Sequence, residues 1–131
     1  MEDYKREFLE AWPIVGRFKI NNLEGNVEIN PNIFGPIILR DSEYKLVNKL
    51  IEGNIHRTRN KNRYYVESMI GEKNNKIFGD GRTLQKAFNS FLKWIDVCYV
   101  DYAINPKKDS LTIGAKRFGE KLRETFQLVE I

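Results

Sequence analysis

The feature that constrains this fold most is an apolar stripe within residues 83–98. Large hydrophobic side chains recur there every three or four residues, at Leu84, Ala87, Phe88, Phe91, Leu92, Ile95 and Cys98. This spacing is typical of an amphipathic helix with a wide apolar face. Thr83 can accept a hydrogen bond from the first turn, and Asn105-Pro106 breaks the pattern. We therefore predict a helix from Thr83 to about Tyr102 that needs a second layer to cover its apolar face.

Residues with a period of two can supply that layer, because alternate side chains of a strand point to opposite faces. The pattern predicts a hairpin of Ile14–Ile20 and Val27–Ile29, joined by the turn-rich NNLEGN. It also predicts two strands, Tyr64–Ile70 and Lys76–Gly79, around a turn at Glu72–Asn75. Since Gly35-Pro36 interrupts Ile33–Leu39, we expect that segment to be an edge strand or extended.

Helical spacing recurs in three further segments. They are Tyr4–Trp12, a segment capped by Asp41 or Ser42 that runs to Gly53, and Ala115–Phe126. A short extended stretch, Leu111–Ile113, precedes the last. The order of helix, strands, helix, strands and two helices predicts an α+β fold, an antiparallel sheet with helices packed on it. Since 131 residues suit one domain, we expect a single compact domain, 1–131, with residues 41–96 as a helix-strand-strand-helix core module.

Composition limits where the protein works. The mean hydropathy is -0.53 and no apolar run approaches the roughly 20 residues that span a bilayer. With one cysteine, Cys98, no internal disulfide can form, which favours the cytoplasm. The 13 Asn and 14 Ile against four Ala suggest a low-GC genome, so we expect a bacterial host.

Catalytic and metal-binding groups are scarce, and we predict no enzyme activity, no cofactor and no metal. His56 lies in a basic polar stretch, and we expect a solvated loop histidine with no acid nearby. Cys98 lies on the apolar helix face, so we expect a buried, inert thiol. One Cys and one His cannot fill the four positions of a zinc site. Asp96 and Asp101 are five residues apart and do not share a helix face.

The stretch GDGRT, Gly79 to Thr83, has two interpretations. Glycines before a helix can expose backbone N-H groups to an anion, with Arg82 assisting. Alternatively, the glycines form the turn from strand to helix and Thr83 caps the helix. The stretch lacks the Walker and Rossmann glycine spacings.

A basic segment is more informative. Residues 54–63 contain Arg57, Arg59, Lys61 and Arg63 and no acid, so they account for the whole net charge of +4. If the segment is extended, these four alternate residues form one stripe about 20 Å long, followed by Tyr64 and Tyr65. Such a stripe suits a phosphate backbone or an acidic protein groove. It is also compatible with a sheet edge that charge protects from aggregation.

The segments SEYKLVNKLIEG, YYVESMIGE and KIFGDGRTLQKAFNSFLKWI together resemble double-stranded-RNA-binding domains, through Gly79, Gly81 and Ala87. That family has a lysine cluster where this chain has Arg82 and Lys86. The motif of Thr83-Leu84 with Ala87 is also similar to small phage-encoded α/β sandwich proteins, and Gly81-x-Thr83-x-x-x-Ala87 to HicB-type antitoxin domains. These resemblances imply a protein that acts by binding.

We therefore predict a non-enzymatic phage or mobile-element protein that binds a host protein or nucleoprotein complex. Its role would be to inhibit a nucleic-acid-handling defence system such as a CRISPR effector. The alternative is a direct RNA- or DNA-binding module. In that case the basic stripe contacts phosphates, and Tyr64 or Tyr65 stacks on bases.

Overall fold

A computed structural model describes residues 13–47, 50–58, 62–70, 76–104 and 112–129. The predicted N-terminal helix at Tyr4–Trp12, the turn at Glu72–Asn75, and residues Arg59, Lys61 and Leu111 lie outside the described residues. Within these ranges, no helix has the length and apolar character that crossing a bilayer requires.

The elements follow one another along the chain as strands first and helices later. They are β1 (Ile14–Ile20), β2 (Gly25–Asn26), β3 (Glu28–Asn30), β4 (Ile38–Leu39), β5 (Tyr44–Leu46), β6 (Ile51–Arg57), β7 (Tyr64–Met69), β8 (Lys76–Gly81), α1 (Leu84–Cys98), a π-helix (Tyr99–Ile104), α2 (Ile113–Thr125) and β9 (Phe126–Leu128). The largest sheet has the order β3-β1-β6-β7-β8, and each neighbouring pair is antiparallel. The remaining described strands form two small sheets, β2-β4 and β5-β9. The predicted α+β class is confirmed.

Helix α1 lies on one face of the large sheet, as its apolar stripe requires. Thr83 caps it, because its Oγ1 accepts a hydrogen bond from the backbone N of Lys86 at 3.1 Å. The stripe is buried except for Leu92, which is half-buried. Phe18 of β1 packs edge-on against Phe88 and Phe91, with ring centroids 5.0 and 5.9 Å apart. Gly79 of β8 faces the helix so closely that a Cβ there would collide with the backbone of Ala87 and Phe91. The core therefore depends on contact between the β8 backbone and α1.

The predicted helix from Asp41 or Ser42 to Gly53 is wrong. Tyr44–Leu46 forms β5, which pairs with β9 at the other end of the chain, and Ile51–Arg57 forms β6 in the middle of the large sheet. Gly53 is a strand residue whose Cβ would meet the ring of Phe18, so it does not end a helix. The module 41–96 thus contains strands where its first helix was predicted, because long-range pairing overrides a local helical spacing.

Other predicted elements are confirmed with shifted ends. The β1–β3 and β7–β8 pairs form antiparallel ladders. Segment 33–39 forms β4 at its end, paired with β2. Helix α2 is capped by Thr112, whose Oγ1 accepts from the Ala115 N at 3.1 Å, so Ile113 is helical rather than extended. Helix α1 continues beyond Cys98 as the π-helix to Ile104.

Candidate functional site

Strand register gathers several of the predicted binding residues at one end of the sheet. Arg57, the last residue of β6, pairs with Tyr64, the first of β7, and Tyr64 pairs with Gly81, the last of β8. Arg82 follows Gly81 directly. We call this region, with the described residues Arg57, Arg63, Tyr64, Arg82 and Lys86, the basic end of the sheet.

Three cations of the basic end lie around the start of α1. A Cβ at Gly81 would lie 2.7 Å from the Cβ of Lys86, so Gly81 faces the first turns of the helix. Directly paired residues point to the same face of a sheet, so Arg57 and Tyr64 also point to the α1 side. Arg82 and Lys86 are exposed there. Since β6 and β8 are two strand spacings apart, Arg57 and Arg82 are anchored about 10 Å from one another.

Tyr64 supports Arg57. The guanidinium carbon of Arg57 lies 5.1 Å from the centre of the Tyr64 ring, a cation-π arrangement. Phe34 contacts the same tyrosine edge-on, with ring centroids 6.3 Å apart. The backbone N of Arg57 donates to the carbonyl of Pro13 at 3.1 Å, which fixes the end of β6. The end of β6 is therefore held by the Pro13 carbonyl, and the Arg57 guanidinium lies against the Tyr64 ring.

The condition for one extended stripe over residues 57–63 is not met by the described residues of that segment, 57–58 and 62–63. The Thr58 N donates to the Arg63 carbonyl at 3.0 Å, and the Thr58 Oγ1 accepts from the Arg63 N at 3.2 Å. Thr58 Oγ1 also donates to Asn62 Oδ1 at 3.2 Å. Arg57 and Arg63 therefore lie on neighbouring antiparallel segments and not at the two ends of one strand about 20 Å long.

Arg63 and Tyr65 are placed less favourably for binding than the sequence suggests. The Nε of Arg63 donates to Asp80 Oδ2 at 2.9 Å, so an acid offsets its charge. Tyr65 is only 8% exposed and lies between His56 and Phe78, with ring centroids 5.7 and 5.9 Å away. It points to the sheet face opposite Tyr64 and does not belong to the basic end.

The structure places an acid beside His56 that the sequence pattern does not indicate. Only 8% of His56 is exposed, and its Nε2 lies 3.5 Å from Oε1 of Glu67 on the neighbouring strand. Lys76 Nζ approaches the other Glu67 oxygen at 3.6 Å. The expected solvated loop histidine is therefore wrong. The period-two pattern of β7 places Tyr65 and Glu67 on one face, but only the β6–β7 register shows that His56 shares it.

The protonation states of this cluster have clear physical causes. The hydrogen bond with His56 lowers the pKa of Glu67, Lys76 lowers it further, and partial burial opposes both. Burial, together with the charge of Glu67, raises the pKa of Tyr65 above its usual range, so its phenol stays protonated at neutral pH. Cys98 is buried, as predicted, and burial raises the pKa of its thiol to about 12. The cysteine is a thiol at neutral pH, the less reactive form.

We expect Glu67→Gln to flatten the acid side of the stability profile. The pKa of Glu67 is lower in the folded than in the unfolded state. The ionised Glu67 side chain therefore stabilises the fold at pH values above 4.5, the ordinary pKa of glutamate. This contribution is lost as the pH falls below 4.5. Urea unfolding between pH 7 and pH 3 should show a smaller loss of unfolding free energy in the variant. The exposed Glu52, changed to Gln, is the control. Equal flattening in both variants would contradict the assignment.

The turn-and-cap interpretation of GDGRT fits the structure. Gly79 and Gly81 allow the strand to approach α1, and Thr83 caps the helix. Arg82 is exposed beside them and remains a candidate binding residue. Among the described residues, His, Cys, Asp and Glu form no group of three that could hold a metal ion. No family model, curated protein or solved structure matches this chain.

Proposed function

We propose that this chain is a non-enzymatic nucleic-acid-binding protein whose basic end contacts phosphate groups. The observation that carries the proposal is the strand register that, with the close contact of Gly81 and Lys86, groups Arg57, Arg82 and Lys86 on one side of the sheet. Oxygen anions along a nucleic-acid backbone are bound by such clusters of Arg and Lys.

The charge balance of the chain agrees with this placement. Residues 57–63 and 79–86 contain six basic side chains and one acidic one, Asp80. The rest of the chain is close to balance, so the net charge of +4 comes from these two segments of the sequence. A polyanion is attracted most strongly where like charges are clustered and their fields add.

The sheet face opposite α1 provides an internal comparison. It contains a groove of about 740 Å³ whose charged lining is balanced between cations and acids, namely Arg17, Lys19, Lys76, Glu28, Glu52 and Glu67. Lys19 and Lys76 lie 3.8 and 3.6 Å from Glu52 and Glu67. A phosphate backbone would meet three carboxylates there, so we assign nucleic-acid binding to the basic end and not to this groove.

Salt-dependent binding tests the proposal. We expect fluorescein-labelled 20-nucleotide DNA or RNA to bind at 50 mM salt, as measured by fluorescence anisotropy. Neutralising about four phosphates predicts a slope near -3 in a plot of log affinity against log salt concentration. No measurable binding to DNA or RNA, single- or double-stranded, at 50 mM salt would refute the proposed function.

The wider role in this proposal is that of a phage or mobile-element-type protein in the cytoplasm of a bacterial host. It would inhibit a nucleic-acid-handling defence system, such as a CRISPR effector, by engaging the nucleic acid or an acidic groove of that complex. The concentrated basic charge and the Asn- and Ile-rich composition support this role. Affinity capture from a low-GC bacterial lysate tests it. Capture lost on nuclease treatment indicates contact through nucleic acid, and capture that survives indicates an acidic protein surface.

A further inference from the structure

We infer that the cleft between α1 and residues 38–44 binds an extended peptide, an activity separate from nucleic-acid binding at the basic end. The cleft has a volume of about 690 Å³, which is in the size range of ligand sites. One wall is the chain that runs from the start of β4 to the start of β5. The other wall is the side of α1 that carries Asn89, Leu92 and Lys93.

Hydrogen bonds join the two walls at both ends of the cleft. At one end, Gln85 Oε1 accepts from the Ile38 N at 3.0 Å and Gln85 Nε2 donates to the Ile38 carbonyl at 2.8 Å. At the other end, the Tyr44 hydroxyl donates to Asp96 Oδ1 at 2.7 Å. Gln85 and Asp96 are separated by about 16 Å along the helix axis. An extended peptide spans that distance with about five residues.

The side chain of Gln85 takes the place of a peptide group beside β4. Its amide exchanges two hydrogen bonds with Ile38, as a residue on a neighbouring antiparallel strand does. In an extended chain the next backbone groups on that side belong to Arg40, which lines the cleft. Within the described part of the chain, the N-H and carbonyl of Arg40 have no hydrogen-bond partner. A peptide beside Arg40 would continue the strand pairing that Gln85 begins.

The charged lining of the cleft favours a peptide over nucleic acid. Arg40 and Lys93 supply positive charge and Asp41 and Glu43 negative charge, and all four are exposed. None of the four forms an ion pair with another described residue. A phosphate backbone would be repelled by the two acids, whereas a peptide with acidic and basic side chains can pair with both signs. Leu92, which is half-buried, adds apolar contact.

Peptide selection and NMR test the inference. A phage-displayed library of random heptapeptides, selected against the wild-type protein, should enrich sequences that combine an acidic and a basic residue. A synthetic peptide of an enriched sequence should then shift the backbone amide signals of residues 38–44 and 85–97. The amides of Arg17 and Lys19, in the groove on the opposite sheet face, should stay in place. Failure to enrich any sequence, or shifts confined to residues outside the cleft, would overturn the inference.

Two substitutions of one residue separate backbone pairing from side-chain contact. Arg40→Pro removes the N-H and adds a ring beside the chain, so the selected peptide should bind at least about 10-fold more weakly. Arg40→Ala, the matched control, loses the same side chain but keeps the N-H, and should weaken binding no more than about threefold. Equal losses in the two variants would contradict strand pairing. The NMR titration needs no variant, so it decides the question if Arg40→Pro does not fold.

Nucleic-acid binding is measured separately on the same variants. Arg40 is not part of the basic end, so Arg40→Ala should leave affinity for labelled DNA within about twofold of wild type. Loss of peptide binding with DNA binding kept would therefore leave the proposed function standing. Peptide binding by a protein that binds no nucleic acid would refute the proposed function and support the peptide site.

Discussion

Changing Arg57, Arg82 and Lys86 together to Ser should lower nucleic-acid affinity on the order of 100-fold at physiological salt. In the proposed function each of these side chains neutralises one phosphate, so their loss should also reduce the steepness of the salt dependence by about 2 to 3 in the log-log slope. The three positions are partly or fully exposed, and the thermal unfolding midpoint should therefore stay nearly unchanged. Fluorescence anisotropy across a salt series measures both quantities.

The matched control changes Lys45, Lys93 and Lys116 to Ser. These lysines are exposed and lie on β5, on the third turn of α1 and on α2, respectively. Their substitution removes three positive charges, as in the first triple variant. We expect this variant to lose less than about threefold in affinity, through the general change in net charge. Similar losses in the two triple variants would show that nucleic acid responds to the overall charge of the protein and that the basic end is not its site.

Local signals explain why the helices could be predicted well. The stripe from Leu84 to Cys98 and the cap at Thr83 lie within 16 consecutive residues, so neighbours in sequence determine both. Local spacing predicts the wrong structure for residues 41–53. Ile51 and Ile55 of β6 are buried in the core. Tyr44 pairs with Leu128, which is more than 80 residues away in the sequence. Helical spacing in that segment was coincidental, because the partners that make it a strand are distant in sequence.

For the candidate site, the sequence shows which residue types are present, whereas the strand register shows which of them lie together. The concentration of charge at Arg57–Arg63 follows from the sequence alone, and so does the presence of aromatic residues beside it. The sequence alone does not show whether Tyr64 or Tyr65 lies beside the cations. Adjacent strand residues point to opposite faces, and the sequence does not indicate which face holds the cations. The pairing of Arg63 with Asp80, and of His56 with Glu67, likewise needs the strand register.

Phe91→Ala should be the most destabilising single substitution considered for this chain. Phe91 is fully buried, packs edge-on against Phe18 and Phe88, and lies directly under the β8 backbone at Gly79. Truncating Phe91 leaves a cavity between the sheet and the helix. The close backbone contact at Gly79 prevents the helix from moving in to fill that cavity. We expect a loss of roughly 3–5 kcal/mol in the free energy of unfolding, measured by urea denaturation.

The control for Phe91→Ala is Leu92→Ala on the same helix turn, which keeps helix propensity and removes a half-buried side chain. It should cost about 1 kcal/mol. A cost for Phe91→Ala no larger than that of Leu92→Ala would contradict the placement of the core between α1 and the sheet. Because Phe91 lies away from the basic end, the folded fraction of Phe91→Ala should retain wild-type affinity for nucleic acid. The triple Ser variant should show the opposite, with stability kept and binding lost, so the two experiments together separate the residues that hold the fold from those that bind.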